Sequence, residues 1–432
     1  MLLLAKAASY VAALLAALLV IPLRPLGGWA VVLMWGKVAA GALAPFLVIG
    51  GTLGATVGLL RRDFRAALAG LAGAAAAARH IRRLAAPHAL FDAAFGPNWR
   101  DRIPPALAAR MSMHRWPWQL GLLPPRAPYQ AHISYAMWPK TAENRYCDVR
   151  LPPDDAPRTG LGVIYLHGGG WHYGDKALGT RPFFKHLAGQ GHVIMDVAYT
   201  LAPKTDLYGM VADVKRAIAW MKTNAAALGV DPARVVLMGA SAGAHLALLA
   251  AYTPNDPAFQ PADVTMDTSV RAVVAFYPPV DIAALYRDLQ ARAGGFLTGQ
   301  TTTAKLAIAT MEPILYATRM LPPYGRYVPR QQLTVGLTGG TPDTAPEAYR
   351  IASPLAHVGP HCPPTLLLHG ADDSFIAPDH SRRLHAALRA AGVTSVAIEY
   401  PGAEHAFDRL LARWSPAALA AIYDVERFLA LM

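Results

Sequence analysis

Residues 235–245 read VVLMGASAGAH, and this stretch combines the features of a buried strand, a tight turn and a helix. The apolar run at residues 235–238 predicts a buried strand, and the apolar residues from Ala242 onward predict a helix. Between them lies a G-x-S-x-G motif centred on Ser241, whose two glycines permit a strand-to-helix turn in which a Cβ would clash. The turn projects the hydroxyl of Ser241 away from the sheet, at a helix N-terminus with positive partial charge. We therefore predict that Ser241 is a nucleophile.

The same alternation of strands and helices extends from about residue 131 to the C-terminus. Parallel strands that are buried on both faces are continuous apolar runs, so the pattern predicts an α/β class with a mainly parallel central sheet and helices on both faces. The predicted strands cover residues 162–166, 192–197, 235–238, 272–276, 365–368 and 396–400, and the predicted helices residues 210–228, 242–251 and 381–391.

A general base and an acid are needed to activate a serine hydroxyl, and in this type of site they follow the serine in the order acid, then histidine. His405 follows the last predicted strand, in the loop sequence GAEHAF. Asp372 and Asp373 follow the preceding strand, where a carboxylate can orient the imidazole and stabilise its charged form. The alternative is a turn that uses both side chains only for backbone hydrogen bonds. The residues by themselves leave both aspartates open.

The sequence HGGGW, residues 167–171, follows the first strand of the predicted parallel set. Glycines there let the backbone N–H groups of Gly168 and Gly169 approach a substrate oxygen, together with the N–H of Ala242. A phosphate-binding loop does not fit, because the glycines lack the spacing of the common phosphate-binding motifs. We predict that these three amides form an oxyanion hole and that His167 is structural.

These segments resemble the H-G-G-G esterases of the α/β-hydrolase superfamily. That group includes hormone-sensitive-lipase-like carboxylesterases and isoprenylcysteine methylesterase-like or arylformamidase-like enzymes. The G-D-K stretch, together with apolar N-terminal runs, resembles the isoprenylcysteine methylesterase branch in particular. The resemblance extends over about residues 145–430, and its stretches are YLHGGGW at 165–171, GDK at 174–176, DVAY at 196–199 and LMGASAGAH at 237–245.

The resemblance implies an α/β-hydrolase fold and a role for each candidate residue. In this family the acid usually lies four residues after the histidine of an H-G pair, which favours Asp373 over Asp372. The implied catalytic triad is Ser241, Asp373 and His405, and the implied oxyanion donors are Gly168, Gly169 and Ala242.

We therefore predict a membrane-anchored serine carboxylesterase that hydrolyses carboxylic esters through an acyl-enzyme on Ser241. Acyl transfer, or amide hydrolysis of the arylformamidase type, uses the same triad and stays open. A non-catalytic membrane scaffold is the alternative from a different class. No metal or organic cofactor is predicted. The predicted partners are a small-molecule or lipid ester and membrane lipids, without nucleic acid, and the sequence does not determine the oligomeric state.

Residues 285–349 match no motif of the family. They include an apolar helical stretch at residues 304–320. Segments inserted at this point of a catalytic domain commonly cover the site, so we predict a lid. The alternative is a segment that packs on the catalytic domain and does not gate the site.

Charge is distributed unevenly along the chain. The formal net charge is +12, and the first 130 residues hold 14 basic residues against three acidic ones. These basic residues lie between long apolar stretches. This pattern favours an anionic membrane surface over nucleic acid as the partner. Cys147 and Cys362 are too few for a disulfide framework and lack metal-ligand spacing.

Apolar runs near the N-terminus predict a membrane anchor at residues 1–83, with two and alternatively three transmembrane helices. The first run, residues 7–23, favours an anchor, and a cleaved secretory signal is the alternative. The second run, residues 38–60, has no charged residue and is long enough to cross a hydrocarbon core of about 30 Å. The third run, residues 66–78, is short for a span and predicts an interfacial or packed helix.

Basic flanks predict the orientation of this anchor. Arg61, Arg62 and Arg65 follow the second run, whereas the preceding loop offers only Arg24 and Lys37. Because Lys and Arg concentrate on the cytoplasmic side, both termini and the catalytic domain would face the cytoplasm. A crossing by the third run would move the catalytic domain to the other side.

Residues 84–130, between the anchor and a catalytic domain at residues 131–432, are rich in Pro, Trp and Arg. This composition predicts either a linker at the membrane interface or one wrapped on the surface of the catalytic domain.

Overall fold

An eight-stranded sheet forms the centre of the predicted catalytic domain in the computed structural model, which describes residues 2–24, 29–112, 114–116, 128–138, 143–176, 181–291, 328 and 332–432. The strand order is β1-β2-β4-β3-β5-β6-β7-β8. Strand β2 is antiparallel to both neighbours, and all other neighbouring strands are parallel. The strands are β1 Tyr129–Trp138, β2 Glu143–Arg150, β3 Gly162–Leu166, β4 Val193–Val197, β5 Val235–Ala240, β6 Ala272–Phe276, β7 Thr365–Gly370 and β8 Ser395–Tyr400.

Helices cover both faces of this sheet and form the N-terminal region. Short 3-10 turns lie at Trp99–Arg102, Pro232–Arg234 and Pro354–His357. The helices are α1 Leu2–Val20, α2 Trp29–Ala42, α3 Ala44–Leu60, α4 Phe64–Ala85, α5 Leu90–Phe95, α6 Pro105–Ala108, α7 Arg181–Gly189, α8 Leu207–Thr223, α9 Ala225–Leu228, α10 Ala242–Tyr252, α11 Ile282–Ala291, α12 Leu333–Thr338, α13 Pro346–Ile351, α14 Asp379–Ala390 and α15 Pro416–Ala430.

Successive residues of the central strands point alternately into two separate hydrophobic cores, one on each face of the sheet. Ile164 and Leu166 of β3 join the core that contains α8 and α10, whereas Val163 and Tyr165 join the core that contains α7 and α15. Every residue of β3, β5 and β6 is buried. This explains why these strands are continuous apolar runs, and the prediction of a mainly parallel sheet covered on both faces is confirmed.

The two antiparallel strands β1 and β2 were not predicted. Strand β2 buries Arg145, Asp148 and Arg150 among its apolar residues. Lys176 neutralises Asp148 at 2.9 Å. A strand whose buried side chains include paired charges has no continuous apolar run, so its pattern does not indicate a strand.

Helices α1, α3 and α4 pack together through glycine and alanine. A Cβ added at Gly51 of α3 would lie 2.6 Å from the backbone oxygen of Gly70 on α4. A Cβ at Gly73 would lie 2.5 Å from the backbone of Ala12 on α1. Small residues at these positions therefore bring the three helix backbones into direct contact, as is common between membrane helices.

The sequence predicted one membrane-spanning helix over the second apolar run, residues 38–60. In the structure this run is divided between two helices. Helix α2 ends at Ala42 and α3 begins at Ala44, and the two segments are bent by 75°. Pro45 explains the break, because it lacks an N–H donor and its ring clashes with the carbonyl four residues earlier. Among the described residues, by length and composition, one helix could cross a membrane, at Leu3–Val20, or two if the bent pair acts as one span.

The linker region is partly built into the catalytic core. Phe91 and Trp99 are buried on the sheet face that carries α7 and α15, with their rings 5.1 Å apart. Trp116 packs instead against the N-terminal helices. The described part of the linker therefore contacts both the sheet region and the N-terminal helices. The predicted lid helix at residues 304–320 lies outside the described residues.

Candidate active site

The turn between β5 and α10 holds Ser241 in a backbone conformation that L-residues rarely adopt. Its φ is 53° and its ψ is −119°. A Cβ at Gly243 would overlap the carbonyl oxygens of Leu166 and His167, and a Cβ at Gly239 would lie 2.5 Å from the backbone of Gly243. Only glycine fits at these two positions. The tight packing keeps the strained serine at the carboxyl edge of the sheet.

His405 follows β8 and reaches both other candidate residues. Its Nε2 lies 3.2 Å from Oγ of Ser241, and its Nδ1 lies 2.7 Å from Oδ2 of Asp373. The rings of Tyr277 and Phe375 lie 4.4 and 5.1 Å from the imidazole, between centroids. These aromatic contacts restrict the rotation of the ring, so both imidazole nitrogens stay in line with their partners.

Asp373 is fully buried after β7. Its Oδ1 accepts hydrogen bonds from the backbone N–H groups of Phe375 at 2.8 Å and Ile376 at 2.7 Å. Burial by itself would raise the pKa of Asp373, but the neighbouring His405 and His369 lower that pKa overall. The carboxyl group is therefore held as a carboxylate that faces the imidazole.

Asp372, the other candidate for the acid, points elsewhere. Its Oδ2 lies 2.7 Å from Nζ of Lys37, on helix α2. Of the two aspartates that the sequence left open, the structure brings Asp373 to His405.

The glycine loop after β3 lies directly on the serine turn. A Cβ at Gly168 would lie 2.9 Å from the backbone oxygen of Ala240 and 3.3 Å from Cβ of Ser241. Gly169 has a φ of 139°, which favours glycine. Ala242 is the first residue of α10, where a backbone N–H has no partner within the helix. The structure therefore brings this loop and the start of α10 to the serine.

His167, the first residue of the glycine loop, is held in place by contacts with Gly168 and Tyr199. Its ring stacks on Tyr199 with centroids 4.5 Å apart, and its Nδ1 lies 2.9 Å from the carbonyl oxygen of Gly168. Tyr199 donates a hydrogen bond to the carbonyl of His167 at 2.9 Å. Burial lowers the pKa of His167 to about 4, so the ring is neutral. These contacts agree with a structural role.

Comparisons with known proteins identify the family. A family model described as BD-FAE matches residues 147–325, and the prolyl oligopeptidase family model matches residues 327–424. The esterase LipQ of Mycobacterium tuberculosis is 32% identical over 326 residues, which cover 74% of this chain and 69% of LipQ. The chain belongs to the α/β-hydrolase esterases. Esterase LipC of the same organism is 33% identical over 262 residues, which cover 60% of this chain and 56% of LipC.

Among solved structures, the apo form of Thermogutta terrifontis esterase 2 is similar with a TM-score of 0.48 and 22% identity, over 73% of this chain and 95% of that chain. The predicted resemblance to an α/β-hydrolase esterase is confirmed by the family matches and the esterase relatives.

One buried residue of the esterase site was not assigned a role from the sequence. Oε1 of Glu404 accepts hydrogen bonds from the backbone N–H groups of Ser374, at 2.5 Å, and His405, at 2.8 Å. Burial, and then the carboxylate of Asp373, raises the pKa of Glu404 to about 7. Its position next to His405 was the only signal in the sequence, and no motif marks it. Glu404 joins the loop that carries the acid to the loop that carries the histidine.

The described part of the esterase holds no group of three His, Cys, Asp or Glu side chains arranged as a metal site. Cys147 and Cys362 are buried free thiols. Burial raises the pKa of the Cys147 thiol to about 12, which keeps it protonated and unreactive.

Proposed function

We propose that this esterase is a membrane-anchored serine carboxylesterase in which Ser241, His405 and Asp373 form the catalytic triad. The observation that carries the proposal is the continuous contact from the Ser241 hydroxyl through the imidazole to the buried carboxylate, at 3.2 and 2.7 Å. A base within hydrogen-bond reach of a hydroxyl, oriented by a third group, is the arrangement that activates a serine.

The reaction then proceeds in two steps. Oγ of Ser241 attacks the ester carbonyl while Nε2 of His405 accepts the hydroxyl proton, and the amides of Gly168, Gly169 and Ala242 stabilise the oxyanion. The tetrahedral intermediate collapses, the proton passes from His405 to the departing alcohol, and an acyl-enzyme remains. Water, deprotonated by His405, attacks the acyl group and releases the carboxylic acid and the free serine.

Substitution of the nucleophile tests this mechanism. We expect Ser241→Ala to lose p-nitrophenyl-butyrate hydrolysis by a factor of about 10³ or more, because acylation has no other nucleophile. The exposed Ser134 on β1 provides the matched control, since Ser134→Ala should keep full activity. Circular dichroism and membrane fractionation check that both variants fold and localise alike. Full activity of Ser241→Ala would refute the proposal.

Two further measurements separate this function from its alternatives. Labelling of Ser241 by a fluorophosphonate probe distinguishes an enzyme from a non-catalytic scaffold. Product analysis with and without an added alcohol acceptor, and with an amide analogue of the ester, distinguishes hydrolysis from acyl transfer and amidase activity.

The proposed anchor consists of residues 1–83, with the linker at residues 84–130 and the catalytic domain at residues 131–432. Large apolar side chains project outward from the N-terminal helices and are more than half exposed: Leu3, Leu4, Val11, Leu14, Leu53, Leu59, Leu60, Phe64 and Leu68. Exposure of so many large apolar side chains is unfavourable in water and is typical of helices that face a membrane or a partner. This exposure supports lipid as the surroundings of the helices, and the esterase relatives support a small-molecule or lipid ester as substrate.

Membrane extraction tests the anchor. We expect the full chain to stay in membranes washed with alkaline carbonate and to require detergent for release. N-terminal sequencing of the purified chain distinguishes a retained anchor from a cleaved signal, and protease access from either side of sealed vesicles tests the proposed cytoplasmic orientation. Release of the full chain by carbonate would contradict the proposal.

Helix α12 supports the proposed cover of the site by residues 285–349. A Cβ at Gly170, in the loop of the oxyanion donors, would lie 3.2 Å from the side chain of Leu333 on α12. A Cβ at Gly336 would lie 2.9 Å from the ring of His172. This helix therefore packs on the glycine loop, close to the proposed oxyanion hole.

A further inference from the structure

Helix α2 carries a lysine whose charge is buried against the catalytic domain. The side chain of Lys37 has no exposed surface. Its ammonium donates hydrogen bonds to Oδ2 of Asp372 at 2.7 Å and to the carbonyl oxygen of Ile21 at 2.8 Å. A buried ammonium is costly unless it is paired, so Lys37 and Asp372 fix each other's positions.

Asp372 lies in the loop that carries the proposed catalytic acid. The next residue, Asp373, faces His405, and the backbone N–H of Asp372 donates to the carbonyl of Ala403 at 3.0 Å. The ion pair with Lys37 therefore acts on a loop that lies between the N-terminal helices and the histidine.

A second contact reaches the same loop from the same side. Phe375 packs edge-on against the imidazole of His405, with an interplanar angle of 86°. Phe375 also packs against the cluster formed by Leu23, which follows α1, and Met34 of α2. The ring thus contacts both the N-terminal region and the proposed general base.

The loop that carries His405 also contacts the N-terminal helices. A Cβ at Gly402 would lie 2.9 Å from Nδ1 of His80 on α4 and 3.7 Å from the carbonyl oxygen of Leu19 on α1. The loops that carry the proposed acid and the proposed base therefore both contact the N-terminal helices, through α1, α2 and α4.

We propose that the N-terminal helices complete the active site, with Lys37 as a positioning residue that acts through Asp372. The inference rests on the proposed function, because it assumes that Asp373 and His405 are the acid and the base. Loss of the ammonium releases Asp372 toward solvent, and the loop relaxes. The carboxylate of Asp373 then moves away from its 2.7 Å contact with the imidazole. A misplacement of about 1 Å in a catalytic group can lower the rate by a factor of about 10².

The test is Lys37→Met in the full-length chain, purified in detergent and assayed with p-nitrophenyl butyrate. Methionine approximates the length of the lysine stem without its charge. We expect kcat to fall about tenfold or more with KM within about twofold, since Lys37 does not contact the substrate. The rate of fluorophosphonate labelling at Ser241 should fall in parallel with kcat.

Lys6→Met is the matched control. Lys6, on α1, is also a lysine of the N-terminal helices with a carboxylate partner, Asp63 at 2.6 Å, but this ion pair does not contact the acid loop. We expect kcat of this variant to stay within about twofold of the wild type, because a part-exposed ion pair contributes little. A tenfold loss in Lys6→Met as well would overturn the assignment to Lys37.

A double variant separates positioning from a purely structural role. Lys37→Met combined with Asp372→Asn leaves no unpaired charge in the interface, so Tm should recover toward the wild type. Because methionine cannot hold the asparagine, kcat should remain low. Recovery of kcat together with Tm, or a wild-type kcat in Lys37→Met, would overturn the proposal. Ser241→Ala assayed in parallel shows separately whether the proposed function itself fails.

Discussion

Helices α1 and α10 are both built almost wholly from apolar residues, yet their surroundings differ. All eleven residues of α10 are buried between the sheet and α8. Helix α1 leaves Leu3 85% exposed and Val20 68% exposed. Apolar composition by itself therefore does not separate a core helix from one whose large side chains face outward, and the neighbouring elements decide between the two.

The two regions also differ in which residues face inward. In the catalytic domain large side chains fill the cores, for example Phe276 and Phe428. In the N-terminal helices close backbone contacts are made by Gly51, Gly70 and Gly73, and large side chains such as Leu3 and Leu14 project outward. The second arrangement is expected where the surroundings are as apolar as the side chains, so that close backbone packing stabilises the association.

The largest difference between the two regions is expected in kcat, when one glycine of each region is replaced by alanine. Gly168→Ala places a methyl group 2.9 Å from the backbone oxygen of Ala240 and 3.3 Å from Cβ of Ser241. We expect kcat to fall by a factor of about 10²–10³, the usual loss when one oxyanion donor is displaced. The measurement is kcat for p-nitrophenyl butyrate at saturating substrate.

Gly50→Ala is its control, because an added methyl group on α3 meets nothing within 4 Å. This variant should keep wild-type kcat. Equal activity of Gly168→Ala and Gly50→Ala would show that the glycine loop does not contribute to the reaction. The glycines of the two regions would then not differ in their importance for activity.

The sequence predicted most of the catalytic region because its chemistry follows from local patterns. Strands β3 and β6 have the predicted bounds, since fully buried parallel strands are continuous apolar runs. Candidate residues that follow β5, β7 and β8 meet because parallel strands end at one edge of the sheet. The choice between Asp372 and Asp373 needed the resemblance, because both follow β7 directly.

Contacts distant in sequence were not predictable in the same way. Lys37 and Asp372 are 335 residues apart, and no spacing rule relates a helix near the N-terminus to a loop after β7. The bend before Pro45 interrupts a run that has no charge to mark its end. The ion pair depends on tertiary packing, which a single sequence does not record, whereas Pro45 is a local signal for the bend.

A smaller effect is expected within the N-terminal helices. Gly73→Ala would place a methyl group 2.5 Å from the backbone of Ala12, so α4 must move away from α1. Overpacking of this kind typically costs about 1–3 kcal/mol. We expect a lower Tm than for Gly50→Ala in the same detergent, together with faster proteolysis of the N-terminal region. A Tm equal to that of Gly50→Ala would mean that the helices do not pack as closely as described.

A gradual effect, at most about 1.4 kcal/mol for each pH unit, is a pH dependence of stability that originates in the catalytic domain. The pKa of Glu404 is raised from 4.5 to about 7 by burial and by Asp373. Between these two pH values the folded chain keeps a proton that the unfolded chain releases. The free energy of unfolding therefore falls as the pH rises from about 4.5 to about 7, and this contribution is constant above that range.

Glu404→Gln isolates this contribution. Glutamine keeps an oxygen that can accept from the N–H groups of Ser374 and His405, but it does not titrate. The stability of Glu404→Gln relative to the wild type should rise by at most about 1.4 kcal/mol for each pH unit between about 4.5 and 7, measured by denaturant unfolding in detergent. If the stability difference between Glu404→Gln and the wild type did not change with pH, Glu404 would be ionised in the folded chain over this whole range, and its pKa would not be raised.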